Sequence, residues 1–328
     1  MNTFSELKRI IEANKSFLIT THVNPDADAL GSELALYSIL KKLGKQVRIV
    51  NHSLTPYNLE FMDESSLIEK YDSQTHHSLL AGVDVCVVLD LNNVSRTVSM
   101  EYALTEFKGI KICIDHHQDP EETFNLIVGG TNYSATGEIL FKFIKETNIV
   151  EIDSFIANQL YVAIMTDTGS FRFERTTPEV HQIAAELIAY GITPALVYDK
   201  VYNQFNFGRV RLLGEALSTI QLDKSKQIAF MVVTKEMLEK NNTSEADVDG
   251  FVSYCLTISS VEIGILFYEL KDGIKISFRS KGDFAVNKLA AEFGGGGHKN
   301  ASGSRLLNTT IDEVKEKVIA KAQHYLIK

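Results

Sequence analysis

The stretch I-K-I-C-I-D-H-H at residues 110–117 decides how this chain is read. A short apolar run rich in β-branched residues, Ile110 to Ile114, passes directly into a carboxylate and two imidazoles. Successive side chains at a strand end point in different directions, so His116 and His117 are expected to do different jobs. Runs of the same kind recur at Ser16–Thr21, Gln46–Asn51 and Asp84–Leu89. Between them lie segments of helical spacing, such as Leu30, Leu34, Tyr37, Leu40 and Leu43, closed by Gly44. Strand–helix alternation predicts an α/β fold, a mostly parallel sheet with helices on both faces.

The rest of the chain divides by pattern. A helix capped at Thr177, with Pro178 in its first turn, runs to Gly191 and ends the first α/β unit, residues 1–191. Residues 192–222 read as a helical connector. A smaller α/β unit follows over residues 223–328, with strands at 228–234, 261–270 and 274–280 and helices around 248–257 and 283–293.

The 328 residues, 45% hydrophobic and 23% charged, are enough for two domains and exclude wholesale disorder. No apolar run approaches the roughly 20 residues of a membrane span. The amphipathic, charged N-terminus reads as a helix and not as a signal peptide. Cys86, Cys113 and Cys255 show no C-x-x-C spacing, and the first two, inside apolar strand-like runs, read as buried thiols, in keeping with a reducing cytoplasm. The net charge of −9 argues against a long nucleic acid held by backbone charge alone.

Acidic and histidine residues gather where open sheets bind ligands, at the carboxyl ends of strands. T-H-V-N-P-D-A-D carries His22, Asp26 and Asp28; V-V-L-D carries Asp90; the opening stretch carries Asp115, His116 and His117. Asp167, in M-T-D-T-G-S, stands at a helix end. Singly these are weak signals: Asp28 alone reads as a helix N-cap. His52, His76, His77, His181 and His324 read as surface or satisfied histidines. Together, the strand-end residues converge on one rim, and such a cluster of carboxylates needs compensating charge. Mixed carboxylate and imidazole donors suit divalent metals, Mn²⁺ first, with Co²⁺, Mg²⁺ or Zn²⁺ as alternatives. The donor count suits two ions, an arrangement that serves displacement at phosphorus.

The motifs H-x-x-x-D-x-D at 22–28, Asp90, D-H-H at 115–117 and T-D-T-G at 166–169 occur in the order seen in the DHH phosphoesterase superfamily. The second half, ending in G-G-G-G-H-K-N-A-S-G at 294–303, resembles the associated DHHA1 domain. Length and domain order are most similar to the bacterial nanoRNase/pAp phosphatases. That resemblance implies hydrolysis of short oligoribonucleotides to mononucleotides, and removal of the 3′-phosphate of 3′-phosphoadenosine 5′-phosphate, by two-metal activation of a bridging water. It implies that His22, Asp26 and Asp90 hold one ion and that Asp28, Asp90, His116 and Asp167 hold the other. His117 would face the substrate phosphate, as proton donor or as phosphate ligand, and Asp115 would orient its loop.

In the second half, Gly294–Gly297 with His298 and Lys299 read as a flexible basic loop able to cradle phosphate. The resemblance implies that Gly295, Gly296, Gly297, His298 and Lys299, with Arg279 and Ser280 of I-S-F-R-S, grip the nucleotide. Arg172, between Phe171 and Phe173, reads as the solvent-facing residue of a strand. The expected partners are short oligonucleotides of about two to five nucleotides and a nucleoside bisphosphate, with no long nucleic acid and no membrane. A homodimer is implied by the resemblance alone. The alternatives are a phosphodiesterase for cyclic or linear dinucleotides, a pyrophosphatase, a processive exonuclease, and a nucleotide sensor without catalysis. A sensor would show a broken ligand set, and here each position is filled.

Overall fold

In a computed structural model describing residues 3–326, the chain divides into two compact units at Gln204–Phe205. The elements of the first, in chain order, are α1 (Thr3–Ala13), β1 (Ser16–Thr20), α2 (Ala27–Lys42), β2 (Gln46–Asn51), β3 (Ile68–Lys70), α3 (Ser73–Gly82) and β4 (Val85–Leu89). They continue with α4 (Glu101–Glu106), β5 (Ile110–Asp115), β6 (Leu126–Gly129), α5 (Thr136–Thr147), α6 (Ser154–Asp167), α7 (Pro178–Ile188) and α8 (Pro194–Tyr202). Its six strands form one sheet in the order β3-β2-β1-β4-β5-β6, every pair parallel.

Alternation along the central strands explains the two covered faces. Phe17, Ile19, Val85, Val87, Leu89, Ile112 and Ile114 enter a core shared with α1, α2, α5, α6 and α7. Leu18, Cys86, Val88 and Cys113 point the other way, into a core with Leu80 of α3 and Ala103 and Leu104 of α4. Both cysteine thiols are free and fully buried, and burial pushes the Cys86 thiol up to about 12. They fill space as small apolar groups.

Two glycines draw the helices behind the site together. A Cβ on Gly31 of α2 would lie 2.5 Å from the Gln159 carbonyl oxygen of α6. One on Gly137 of α5 would lie 2.6 Å from Cβ of Ala163, also on α6. The close approach of α2, α5 and α6 therefore depends on the missing side chains.

The second unit contains α9 (Phe207–Ser218), β7 (Gln221–Leu222), β8 (Ile228–Val233), α10 (Lys235–Asn241), β9 (Ile263–Leu270) and β10 (Gly273–Ser280), then α11 (Val286–Ala291), β11 (Gly296–His298), β12 (Ala301–Leu307) and α12 (Ile311–His324). Its sheet runs β11-β12-β10-β9-β8-β7, with β8 and β9 parallel and the other pairs antiparallel. The helix expected around 248–257 consists instead of short 3₁₀ turns at Glu245–Val248 and Phe251–Thr257. Gly250, at φ +81, separates them and ends any continuous helix. Among the described residues, no helix is long and apolar enough to cross a membrane.

Candidate metal centre and active site

The carboxyl ends of β1, β4 and β5 deliver the acidic and histidine residues to one rim of the first sheet, and the C-terminus of α6 adds Asp167. Asp90, one residue past β4, has φ +57, a left-handed backbone that Asp tolerates better than most residues. Its carboxylate is buried and splits between two imidazoles: Oδ2 lies 3.5 Å from Nε2 of His22, and Oδ1 lies 3.3 Å from Nε2 of His116. Thr136 Oγ1 also donates to Asp90 Oδ1, at 3.1 Å.

Donor atoms of His22, Asp26 and Asp90 lie within 4.8 Å of one another, as do those of Asp28, His116 and Asp167. The His22 ring is aimed by its Nδ1, 2.9 Å from the Val23 carbonyl. Because a carbonyl only accepts, Nδ1 carries a proton and Nε2 is the ring atom that faces the cluster. Nε2 of His116 lies 3.4 Å from Oδ2 of Asp167 and 3.9 Å from Oδ2 of Asp28. The two adjacent histidines separate in space. His117 turns to Asp115, its Nδ1 2.5 Å from Oδ1, while its backbone N–H donates to Asp115 Oδ2 at 3.1 Å.

Of the two aspartates of the first motif it is Asp26, not Asp28, that caps its own helix. Asp26 is the N-cap of α2, its Oδ1 accepting the N–H groups of Asp28 and Ala29 at 3.0 Å. Asp28 lies in the first turn and reaches to another helix: it accepts the Thr136 N–H at 2.7 Å and the Gly137 N–H at 2.9 Å, so it caps α5. A capping signature describes only local sequence, whereas this cap is made by a residue more than a hundred positions away.

Charge crowding explains the proton inventory. Burial, then the charges of Asp90 and Asp167, raises the Asp28 carboxyl well above the carboxylate range. Burial raises Asp167 to about 7, with Asp90 and Asp26 adding to it and His116 opposing. Burial opposes a proton on His116, but the Asp90 hydrogen bond and three nearby carboxylates outweigh it and raise the imidazole to about 10. Burial likewise works against a charged Asp90, yet its imidazole partners hold it well below the usual range. Such a site binds protons where a divalent cation would serve better.

A second layer of residues, not legible in the motifs, supports the rim. Glu33 of α2 is fully buried, and Asn51 Nδ2 donates to its Oε2 at 2.9 Å. Asn51 Oδ1 in turn accepts from Thr20 Oγ1 and the Thr21 N–H, both at 3.2 Å, and Thr21 Oγ1 donates to the Leu89 carbonyl at 2.7 Å. The chain ties β1, β2 and β4 together immediately below His22 and Asp90. Burial raises the Glu33 carboxyl to about 8. A buried-looking Glu inside the apolar helix A-L-G-S-E-L-A-L was the available signal.

His76 is not among the donors of this centre. His76 is buried and its Nδ1 accepts the Asp72 N–H at 2.8 Å, a satisfied structural histidine. The side chain of His77 lies outside the described residues. Residues 168–175 form tight turns instead of the expected strand: Ser170 and Phe171 have φ of +61 and +64, and Arg172 packs over the Phe173 ring. Alternation of Phe and Arg there reflects turn geometry and not a pleat.

In the second unit, Arg279 lies on β10 and pairs with Ala301 of β12, which pairs in turn with His298 of β11. Arg279 and His298 therefore share a row and a face of the sheet. Arg279 is half-buried, donates from Nη1 to the Phe278 carbonyl at 3.0 Å, and burial lowers its pKa. Ser280 Oγ is engaged structurally, donating to the Phe284 carbonyl at 2.6 Å and accepting from Asn300 at 2.9 Å. The glycine run differs from the expected flexible loop, because Gly296–His298 is an edge strand. A Cβ on Gly295 would fall 2.1 Å from the Gly303 carbonyl oxygen, and Gly297 has φ +135. The glycines let the hairpin close. Lys299 pairs with Asp283 at 2.9 Å.

Residues 16–164 match the model of the DHH family, N-terminal domain, and residues 225–328 match the DHHA1 domain. A relative from Thermus thermophilus, named as a bifunctional oligoribonuclease and PAP phosphatase NrnA, is 33% identical over 99% of this chain and 94% of its own. The chain belongs to the DHH family. Within that family, the Bacillus subtilis protein of the same name is 28% identical over 92% of this chain and 93% of its own. The crystal structure of an exopolyphosphatase-related protein from Bacteroides fragilis superposes with a TM-score of 0.93 and 34% identity, covering 98% of this chain and 96% of that one. The parallel first sheet and the DHHA1 unit are thus the DHH architecture over essentially the whole chain.

Proposed function

We propose that this chain is a metal-dependent phosphoesterase that hydrolyses short oligoribonucleotides to mononucleotides and removes the 3′-phosphate of 3′-phosphoadenosine 5′-phosphate. The activities for which the Thermus and Bacillus relatives are named support the substrate class. The observation that carries the chemistry is the division of one buried carboxylate, Asp90, between two donor sets.

The donors fit divalent cations: all are oxygen or imidazole nitrogen, and the cluster holds protons that a cation would displace. We assign His22, Asp26 and Asp90 to one ion, and Asp28, Asp90, His116 and Asp167 to a second, with Mn²⁺ the best match. When bound, such ions supply Lewis acidity that lowers the pKa of water and offsets charge on phosphoryl oxygens. The protein's own part is orientation. The Val23 carbonyl fixes the His22 tautomer. The α5 N-terminus holds the Asp28 carboxylate in place. Asp115 holds Nδ1 of His117, so in this reading Nε2 is the atom that presents a proton to the phosphoryl group or the leaving alkoxide.

Arg279, Ser280, Gly295, Gly296, Gly297, His298 and Lys299 are assigned to the nucleotide. The shared face of Arg279 and His298 supports the assignment of those two. The net charge of −9 favours a small substrate over long RNA. The test is a product assay with purified protein and Mn²⁺, comparing RNA of two to ten nucleotides, 3′-phosphoadenosine 5′-phosphate, linear and cyclic dinucleotides, and pyrophosphate. Mononucleotide release from the shortest RNA together with dephosphorylation of the bisphosphate is expected. Turnover confined to cyclic dinucleotides or pyrophosphate would refute it.

A further inference from the structure

Arg96 lies in the turn that follows Asp90, and nothing in the site described above uses its side chain. The turn is strapped to the first metal-ligand loop: the Arg96 carbonyl accepts the Val23 N–H at 2.8 Å, next to His22. Asn93 closes the same turn, its side chain accepting the Ser95 N–H at 2.8 Å and its carbonyl accepting the Arg96 N–H at 3.1 Å. Two residues on, Val98 takes φ 49 and ψ −93, a conformation that β-branched residues rarely adopt. A strained backbone of this kind persists when its surroundings hold it, and it clusters at functional sites.

The guanidinium is half-buried, and its positive charge reaches the His22 imidazole, where it works against protonation. Among the described residues it takes no carboxylate and makes no side-chain hydrogen bond, although Asp26 and Asp90 belong to the adjacent donor set. The other arginines of this unit that form ion pairs, Arg9 with Glu6 and Arg48 with Glu69, do so on the surface. A cation beside a cluster that binds cations opposes metal binding, so holding the metals does not account for it. An anion arriving at the metals does: guanidinium offers a rigid fork of five donors matched to phosphoryl oxygens.

We propose that Arg96 is a substrate-contact residue that binds a non-bridging oxygen of the scissile phosphate on the His22–Asp26–Asp90 side of the centre. This rests on the phosphoesterase reading above. It differs from the role given to Arg279, which concerns the nucleotide: Arg96 acts on any phosphate, with or without a base attached.

The experiment is calorimetric titration of the Mn²⁺-loaded full chain with inorganic phosphate, for wild type, R96A and R96K. Loss of a charge-assisted contact predicts phosphate binding weakened by about tenfold to a hundredfold in R96A, with partial recovery in R96K. Mn²⁺ affinity is expected to stay at or rise above the wild-type value in R96A, with the melting temperature unchanged. Unchanged phosphate affinity in R96A, or a parallel loss of Mn²⁺ binding, would overturn the proposal. Turnover of bis(p-nitrophenyl) phosphate by the same proteins separates the two claims. A wild type inert on every phosphoester refutes the phosphoesterase reading, while the phosphate titration still decides Arg96.

Discussion

Asp90 meets His116 through one carboxylate oxygen, Oδ1, at 3.3 Å from Nε2, and reserves the other, Oδ2, for His22. One buried side chain thereby joins two donor sets built from different strand ends.

The adjacent histidines should separate by function. His116 faces Asp90, Asp167 and Asp28, so His116→Ala is expected to weaken Mn²⁺ binding. His117 is held by Asp115, so His117→Ala is expected to leave Mn²⁺ bound and slow turnover by about 10²–10⁴-fold. Asp115→Asn should follow His117→Ala with a smaller loss, about 10–100-fold. Calorimetric Mn²⁺ titration beside single-turnover kinetics checks all three; equal loss of metal in the His116 and His117 variants would contradict the division.

Metal affinity should rise with pH. His116 is raised to about 10 and Asp167 to about 7, so in the metal-free protein both hold protons on the acid side of neutrality. A dication must displace those protons, and their displacement becomes easier as pH approaches each raised value. Apparent Mn²⁺ affinity is therefore expected to increase between about pH 6 and 8, with proton release on binding that decreases as Asp167 ionises. Titrations in buffers of different ionisation enthalpy count the protons; binding without release would contradict the crowded-charge account.

Gly31→Ala should reach the site without touching it. The new Cβ would lie 2.5 Å from the Gln159 carbonyl, forcing α2 from α6 at a cost of about 1–3 kcal/mol. Asp28 rides on α2, so weaker Mn²⁺ binding should accompany the lower melting temperature. A destabilised variant with normal metal affinity would show that helix spacing does not set the Asp28 position.

Arg279→Ala should divide substrates by size. Turnover of dinucleotide and bisphosphate is expected to fall by about tenfold or more, while bis(p-nitrophenyl) phosphate is spared. Equal losses on both would argue that Arg279 does not recognise the nucleotide.

Much of this was legible in the sequence, for a physical reason. β1, β4 and β5 are buried on both faces, so each reads as an apolar run, and each ends in residues with no apolar explanation. Edge elements were harder: β3 and β6 span only Ile68–Lys70 and Leu126–Gly129, too short for a period to appear. The glycine run could not announce β11, because a strand without side chains has no alternation and takes its register from β12. Tertiary partnerships were invisible for the same kind of reason. Asp28 capping α5, and Glu33 reaching His22's strand through Asn51, join positions that only folding makes adjacent.

The most direct test of the central claim is Mn²⁺ stoichiometry and turnover for wild type and Asp90→Asn, measured on the same preparations. Asparagine tolerates the left-handed backbone at φ +57, so the fold is expected to survive while the bridge is lost. The account predicts two ions per chain in the wild type, fewer in the variant, and turnover reduced by at least about a hundredfold even at saturating Mn²⁺. One ion per chain in the wild type, or near-normal activity in Asp90→Asn at saturating Mn²⁺, would contradict it.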